Sequence, residues 1–379
     1  MMHKLILISV NAIRGFSSPI FNFLIALFAI RIFGKENWGT MVNALLSIFL
    51  IAFLINWGNK EYLIRKYSSQ PSKIFFAFYS NFFTRSLLLP LSLILLFFFP
   101  FKIAIWCILL AIIIHCYNAT ESLIVYYQIF GIQFLAEIIS FSIITTSIFY
   151  FEKFKLETFL QLYCLAFFVK FLIVIINLRF WKEKSSFKIS LNEFTEAFGF
   201  FMIGFSGWIA SKIDLYIVSF TMPKEQISEY QIAITAFLLI QSLSYFIILP
   251  FNKHFYRLPK KSLQKIKNIV AAVSLPFVII GTILIWYFLE EIAQLNLPIN
   301  FYVIGGLSCM PTYFFIVDIM AYYKKKKESI ILKINFINAF INLILTFFLI
   351  QKLGIMGAII SVFINQCSIL CFYKFKLIK

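Results

Sequence analysis

Twelve apolar segments, each about 20 residues long, follow one another along the chain and are separated by short clusters of charged residues. A helix needs about 20 apolar residues to cross a bilayer, so each segment is long enough to span one. The chain is 61% hydrophobic and 13% charged, against about 25% charged residues in soluble domains. We therefore predict an all-α polytopic membrane protein. The predicted spans are Leu5–Ile32, Met41–Trp57, Ile74–Phe99, Ile103–Tyr127, Ile129–Tyr150, Glu157–Arg179, Ala197–Thr221, Tyr230–Phe251, Ile266–Leu289, Ile299–Tyr322, Ile330–Ile350 and Gly354–Phe372.

The net charge of +18 divides unevenly between the two sides of this predicted membrane protein. Loops on the side that holds both termini carry 23 basic and five acidic residues, whereas loops on the other side carry seven of each. The positive-inside rule predicts that the first side, with both termini, is cytoplasmic. We expect this charge to set the topology and to meet anionic lipids. Nucleic acid is not an expected partner, because no folded domain presents the charge in a groove.

A weak internal repeat indicates two halves. A Lys-Glu pair precedes span two and an Asn-Lys pair follows it, and the same pairs flank span eight at offsets of 189 and 193 residues. Duplicated halves are common in transporters. We predict two six-helix lobes, residues 1–180 and 197–379, joined by a cytoplasmic linker over residues 181–196, with the substrate path between the lobes.

Ionisable residues inside predicted spans are functional candidates, because each costs about 2.5–3.5 kcal/mol at a helix centre. Three of the basic ones, Arg14, Arg85 and Lys170, lie deep in spans of the first half. Asn11 and Asn22 share one stripe of the first helix with Arg14. We predict that these five residues line a cationic cavity that suits a diphosphate group. The alternative for Arg14 is a buried interhelical ion pair.

The acidic residues inside spans are candidates for binding a coupling ion, H⁺ or Na⁺. Asp214 is the leading candidate, although a basic group on a neighbouring helix could pair with it instead. Glu121 and Glu137 lie nearer the cytoplasmic boundary, where either could pair with a basic residue of the first half. For Asp318 a solvated helix end is the better interpretation. We expect no metal site, no cofactor and no catalytic residue, because the three histidines are scattered and the six cysteines all fall inside spans.

Several short motifs follow one another along the twelve predicted spans. They are the buried Arg14, the segment Ala29-Ile30-Arg31 through Gly34 to Gly39, Trp57-Gly58 before a basic segment with Arg65, Lys212-Ile213-Asp214, the asparagines Asn335, Asn338 and Asn342, and Leu353-Gly354 through Gly357-Ala358. No single motif is specific, but together and in this order they resemble the Wzx-type polysaccharide flippases of the MATE-like multidrug/oligosaccharidyl-lipid/polysaccharide (MOP) superfamily.

This resemblance implies a MATE-like fold and a flippase that carries undecaprenyl-diphosphate-linked oligosaccharide across the bacterial inner membrane. Its expected partners are the lipid-linked substrate, membrane lipids, a polysaccharide polymerase and a chain-length regulator. One alternative is a membrane polymerase or ligase, which we disfavour because the outward loops are short and neutral. The other alternative is a MATE-like exporter of small molecules, which would favour a more acidic cavity.

Overall fold

The computed structural model describes residues 2–151, 153–179, 186–248, 259–325 and 327–375, with side chains from Ser17 onward except at 246–248, 260, 323 and 328. These residues form helices joined by short turns, and no strand occurs among them. The helices are α1 (Met2–Phe33), α2 (Lys35–Asn56), α3 (Asn59–Ser69), α4 (Ile74–Ser86), α5 (Leu95–Phe98), α6 (Phe101–Tyr127), α7 (Phe130–Tyr150), α8 (Leu156–Leu178), α9 (Asn192–Thr221), α10 (Lys224–Ile248), α11 (Lys260–Tyr287), α12 (Ile299–Lys324), α13 (Glu328–Leu353) and α14 (Ile355–Phe375).

The predicted all-α membrane fold is confirmed, and the twelve predicted spans all fall on helical segments. Ten helical segments of the described part are long and apolar enough to cross a membrane, and two of them join elements named separately above. The other two predicted spans correspond to α1 and α10. The side chains of α1 before Ser17 lie outside the described residues. Span eight was predicted to end at Phe251, which lies outside the described residues.

The third span differs from the single helix predicted over 74–99. Helix α4 ends at Ser86, and the chain continues as a 3-10 turn over Leu89–Ile94 before the short α5. Pro90 lies in the first turn of this 3-10 segment. Proline has no N–H and its ring clashes with the carbonyl four residues earlier, so a regular helix cannot pass through it unaltered. Proline also occurs inside α1, α11 and α12, and these three helices continue past it.

The chain divides into two compact units. The first comprises Met1–Phe21 and Thr40–Phe205. Its interior includes an aromatic core in which Tyr62, Tyr67 and Phe78 pack together with small residues such as Ala119 of α6 and Ala197 of α9. Small residues let membrane helices approach closely. This core brings α3, α4, α6 and the start of α9 together around the polar residues described below.

The second unit comprises Asn22–Gly39 and Ser206–Lys379. Within it, α12 and α13 both pack on α14, and Phe315, Ile334 and Tyr373 form part of their shared core. The first residue of α2, Lys35, connects the start of this helix to two other parts of the unit. Its Nζ lies 2.7 Å from Glu229 Oε1 and 2.8 Å from the carbonyl oxygen of Leu295. The division of the whole chain into six-helix lobes remains a prediction.

Replacing Gly39 by alanine is expected to lower the free energy of unfolding by about 1–3 kcal/mol, the usual cost of overpacking. A Cβ at Gly39 would collide with the backbone carbonyl of Lys224, which has no flexible end that can move aside. Thermal unfolding of the detergent-solubilised protein can be followed with a thiol-reactive dye, because Cys107, Cys164 and Cys309 are buried.

Gly207→Ala in α9 is the matched control. A Cβ there meets no described atom within 4 Å. Alanine is favoured over glycine in a helix, so this variant is expected to unfold at or slightly above the wild-type temperature. Equal unfolding temperatures for the Gly39 variant and the wild type would contradict the close contact between Gly39 and Lys224.

Candidate functional site

One face of α4 carries four buried polar residues, Ser80, Asn81, Thr84 and Arg85. Helical spacing places positions i, i+1, i+4 and i+5 on one side of a helix. The described end of the predicted linker, residues 186–191, lies along this face, and we call it the linker strap. The backbone N–H of Lys188 donates to Ser80 Oγ at 2.9 Å, and that of Ser190 donates to Thr84 Oγ1 at 3.2 Å. Residues 181–185 of the predicted linker lie outside the described residues.

Arg85 is completely buried where the linker strap enters α9. Its guanidinium carbon lies 4.4 Å from the centre of the Phe194 ring, and Nη2 donates to the backbone oxygen of Glu193 at 3.3 Å. Its Nε and Nη1 atoms have no hydrogen-bond partner among the described residues. The arginine predicted to lie deep in span three is therefore interior, and part of its donor capacity is unused.

Glu193 is the buried acid of this region, with 4% of its surface exposed. Its Oε1 lies 2.7 Å from Lys66 Nζ, and its Oε2 accepts from Asn81 Nδ2 at 2.9 Å. Together with Arg85, these residues form what we call the Glu193 cluster. Beside it, the hydroxyl of Tyr62 accepts from Lys66 Nζ at 3.0 Å and donates to the second acid of this helix turn, Glu196, at 2.7 Å. The cluster thus joins α3, α4 and α9.

Sequence reasoning missed the roles of Lys66 and Glu193. It counted Lys66 as a loop charge because no helix was predicted between spans two and three, where α3 lies. It counted Glu193 as a loop charge because span seven was predicted to begin at Ala197, whereas α9 begins at Asn192. The available signal was Asn192 directly before Glu193, since asparagine favours the start of a helix and an acidic side chain favours its first turn. Even with that signal, contacts between residues 112 and 127 positions apart have no local sequence pattern.

Lys170 and Glu137 form a buried ion pair between α8 and α7. Lys170 Nζ lies 2.7 Å from Glu137 Oε2, and the two side chains are 8% and 10% exposed. Lys170 also lies over the rings of Phe167 and Tyr117, at 4.7 and 5.6 Å from their centres. The possibility that Glu137 pairs with a basic residue of the first half is realised here. Lys170 and Arg85 belong to different clusters, because Arg85 contacts α9 and Lys170 contacts α6 and α7.

The other predicted site residues are more dispersed. Glu121 pairs with Lys60 at 3.2 Å, and both side chains are about 30% exposed. Asn22 is exposed on α1. Asn11 and Arg14 lie in α1, but their side chains are outside the described residues.

In the second unit, Asp214 is buried and accepts a hydrogen bond from the hydroxyl of Tyr230 in α10. Asp318, interpreted from the sequence as a solvated helix end, instead forms an ion pair with Lys267 at 2.5 Å, with about a quarter of each side chain exposed. The two helices α11 and α12 pack side by side, which brings residues 51 positions apart into contact. Among the described residues, no three His, Cys, Asp or Glu side chains come together as metal ligands.

Comparison with known proteins gives a match in structure and none in sequence. No protein-family model and no curated protein matches the chain. The lipid II flippase MurJ in an inward closed conformation is similar in structure, with a TM-score of 0.77 and 18% identity over 98% of this chain and 87% of that one. An inward-facing multidrug resistance MATE family transporter of the MOP superfamily has a TM-score of 0.62 and 9% identity over 94% of this chain and 93% of that one. The chain therefore has the fold of MurJ and of the MATE transporters.

Proposed function

We propose that this chain is a flippase that moves undecaprenyl-diphosphate-linked oligosaccharide repeat units across a bacterial inner membrane. The observation that carries this proposal is the structural similarity to the lipid II flippase MurJ, which extends over 98% of the chain. Transport proceeds by alternating access, in which a binding site opens to the two sides of the membrane in turn. Both termini lie in the cytoplasm, as the charge asymmetry between the loops predicts.

Arg14, Arg85 and Lys170, with Asn11 and Asn22, bind the anionic and hydroxyl groups of the substrate. The support for this assignment is chemical, because arginine offers a planar fork of donors and lysine a mobile point charge to a diphosphate. Buried cations in a membrane interior are costly, and such residues usually serve a substrate or ion pathway.

Asp214 is the leading site for a coupling ion, H⁺ or Na⁺, with Glu121 and Glu137 as further candidates. The burial of Asp214 and its bond to a neutral hydroxyl support this order, because Glu121 and Glu137 already have lysine partners. A polysaccharide polymerase and a chain-length regulator are the protein partners that the assembly of such a polymer requires.

Small-molecule export is the second candidate function, and the similarity to a MATE transporter favours it. The polymerase or ligase alternative has less support, since these two structural neighbours are named as a flippase and a transporter. An exporter would bind soluble organic cations, whereas a flippase requires a lipid anchor on its substrate.

Reconstitution into liposomes distinguishes these functions. The substrate is undecaprenyl-diphosphate-linked oligosaccharide with a fluorescent sugar, and a membrane-impermeant reductant quenches the label on the outer leaflet. We expect protein-containing liposomes to expose inner-leaflet label to the reductant faster than empty liposomes do. Efflux of ethidium without movement of the labelled lipid would overturn the flippase in favour of the exporter.

A further inference from the structure

Three different side chains donate hydrogen bonds to oxygen atoms of Glu193, two of them to its carboxylate and one to its backbone. Lys66 Nζ is 2.7 Å from Oε1, Asn81 Nδ2 is 2.9 Å from Oε2, and Arg85 Nη2 is 3.3 Å from the backbone oxygen of the same residue. An ammonium, an amide and a guanidinium group that lie around one residue can bind an oxyanion. In this structure the carboxylate of Glu193 takes the ammonium and amide donors, and its backbone oxygen takes one guanidinium donor.

Arg85 has more donor capacity than Glu193 uses. Its Nε and Nη1 atoms are buried and have no hydrogen-bond partner among the described residues. Buried polar groups are nearly always hydrogen-bonded, so an unsatisfied buried guanidinium calls for an explanation. A ligand with more oxygen atoms than a carboxylate would satisfy these donors, and a diphosphate group has such oxygens on two phosphorus atoms.

We propose that Lys66, Asn81 and Arg85 form a diphosphate-binding site that Glu193 occupies as an internal substitute until the substrate displaces it. The choice of a diphosphate rests on the proposed flippase function, whereas the existence of an anion site rests on the geometry alone. Lys66 and Arg85 are balanced by Glu193 and Glu196 while Glu193 is bound. When Glu193 leaves, the site has one excess positive charge to offer the ligand.

The linker strap holds Glu193 in this position. Its backbone donates to Ser80 and Thr84 on the same face of α4 that carries Asn81 and Arg85. Phe187 of the strap also stacks on Phe83, with 4.3 Å between ring centres. In this proposal the strap lifts from α4 when the substrate displaces Glu193. Two states are then in equilibrium, one with the strap on α4 and Glu193 bound, and one with the strap lifted and the ligand bound. Either ligand binding or the position of the strap measures this equilibrium.

Glu193→Gln tests the site directly, because it keeps the size of the side chain and removes its charge. The probe is inorganic pyrophosphate, added to the purified full-length protein in nanodiscs of neutral lipid and measured by calorimetry. We expect the variant to bind pyrophosphate about ten- to a hundredfold more tightly than the wild type, the range set by one charge-assisted hydrogen bond. Adding Asn81→Ala or Arg85→Lys to the variant should remove most of this gain.

Glu196→Gln is the matched control. It removes the same charge one helical turn away, from an acid that Tyr62 holds. A gain limited to about threefold is expected, because it changes only the local potential. Equal gains in the two variants would show that net charge alone governs binding and would overturn the substitution by Glu193. No gain in Glu193→Gln would overturn the site.

The two sources of a diphosphate are separated by two further probes. Polyprenyl diphosphate placed in the nanodisc should bind at least as tightly as pyrophosphate if the lipid substrate is the ligand. Phosphatidylglycerol nanodiscs should leave the affinity for pyrophosphate within about twofold of that in neutral lipid. Strong competition by phosphatidylglycerol would assign the site to a phospholipid headgroup and overturn the diphosphate.

A cysteine pair at Thr84 and Ser190 gives a measurement that does not depend on variants of the site itself. These positions are in contact, at 3.2 Å from Oγ1 to N, so a disulfide between them would hold the strap on α4. Oxidised protein should lose pyrophosphate binding, and reduction should restore it. Unchanged binding in the oxidised protein would contradict displacement of Glu193.

Failure of this site and failure of the proposed function are distinguishable. If the wild type moves labelled lipid across liposomes while Glu193→Gln binds pyrophosphate no better, the site is wrong and the function stands. If Glu193→Gln gains affinity while the wild type moves no lipid, the anion site stands and the flippase function is wrong.

Discussion

Lys170→Met is expected to lower the free energy of unfolding by about 3–5 kcal/mol, the cost of leaving one partner of a buried ion pair uncompensated. Methionine keeps most of the apolar part of the side chain, but it removes the ammonium group that lies over the rings of Phe167 and Tyr117 and leaves the carboxylate of Glu137 without its partner. The thiol-reactive dye that reports unfolding of the detergent-solubilised protein measures the effect as a lower unfolding temperature.

Two controls test whether the loss of stability comes from the burial of this ion pair. The double variant Lys170→Met with Glu137→Gln should recover most of the loss, because no unpaired charge remains. Lys60→Met removes the same charge from the pair with Glu121, in which both side chains are about 30% exposed. Exposed pairs contribute about 0–1 kcal/mol, so this variant should unfold close to the wild type. Similar losses in Lys60→Met and Lys170→Met would contradict the buried ion pair.

Arg85→Ala is expected to reduce lipid translocation by about a hundredfold or more in the liposome assay, the equivalent of about 2.7 kcal/mol in the rate-limiting barrier. The variant removes every guanidinium donor from the Glu193 cluster and the cation that packs on the Phe194 ring. Arg85→Lys should retain an intermediate rate, since a point charge replaces a planar fork. Rates are compared per amount of folded protein, as judged by unfolding temperature.

The matched control for Arg85 is Arg65→Ala, an exposed arginine on α3. It changes the net charge by the same amount in the same unit, and we expect translocation within about twofold of the wild type, as for most exposed substitutions. Wild-type translocation by folded Arg85→Ala would contradict a role for this residue in substrate binding. Equal losses in both variants would attribute the effect to net charge and not to the guanidinium of Arg85.

The helices were predictable because their signal is local. Each predicted span corresponds to a run of apolar residues whose length matches the bilayer, and the structure places helical segments there. The break in the third span had a visible cause in Pro90, but prolines in α1, α11 and α12 are tolerated within helices. Whether a proline ends a helix depends on the neighbours that accept the freed backbone groups.

The candidate site was only partly predictable. The sequence indicated Arg85 and Lys170 as buried cations and left open a pairing of Glu137 with a basic residue, which the structure places on Lys170. It did not indicate Glu193, because a charge at the end of a predicted linker is normally solvated. Asp318 was assigned to a helix end for the same reason, and the packing of α11 on α12 gave it Lys267 as a partner.

The sequence by itself determined that this is a membrane protein, how many apolar spans it has and which ionisable residues lie within them. These properties depend on hydropathy and charge summed along short stretches, and each residue contributes independently of its distant neighbours. The tertiary structure alone decided which charges meet. Lys66 and Glu193 are 127 positions apart, and Asn81 and Glu193 are 112 apart. Only helix packing brings such residues within hydrogen-bond distance, because the strength of a charge interaction depends on separation and burial rather than on position in the chain.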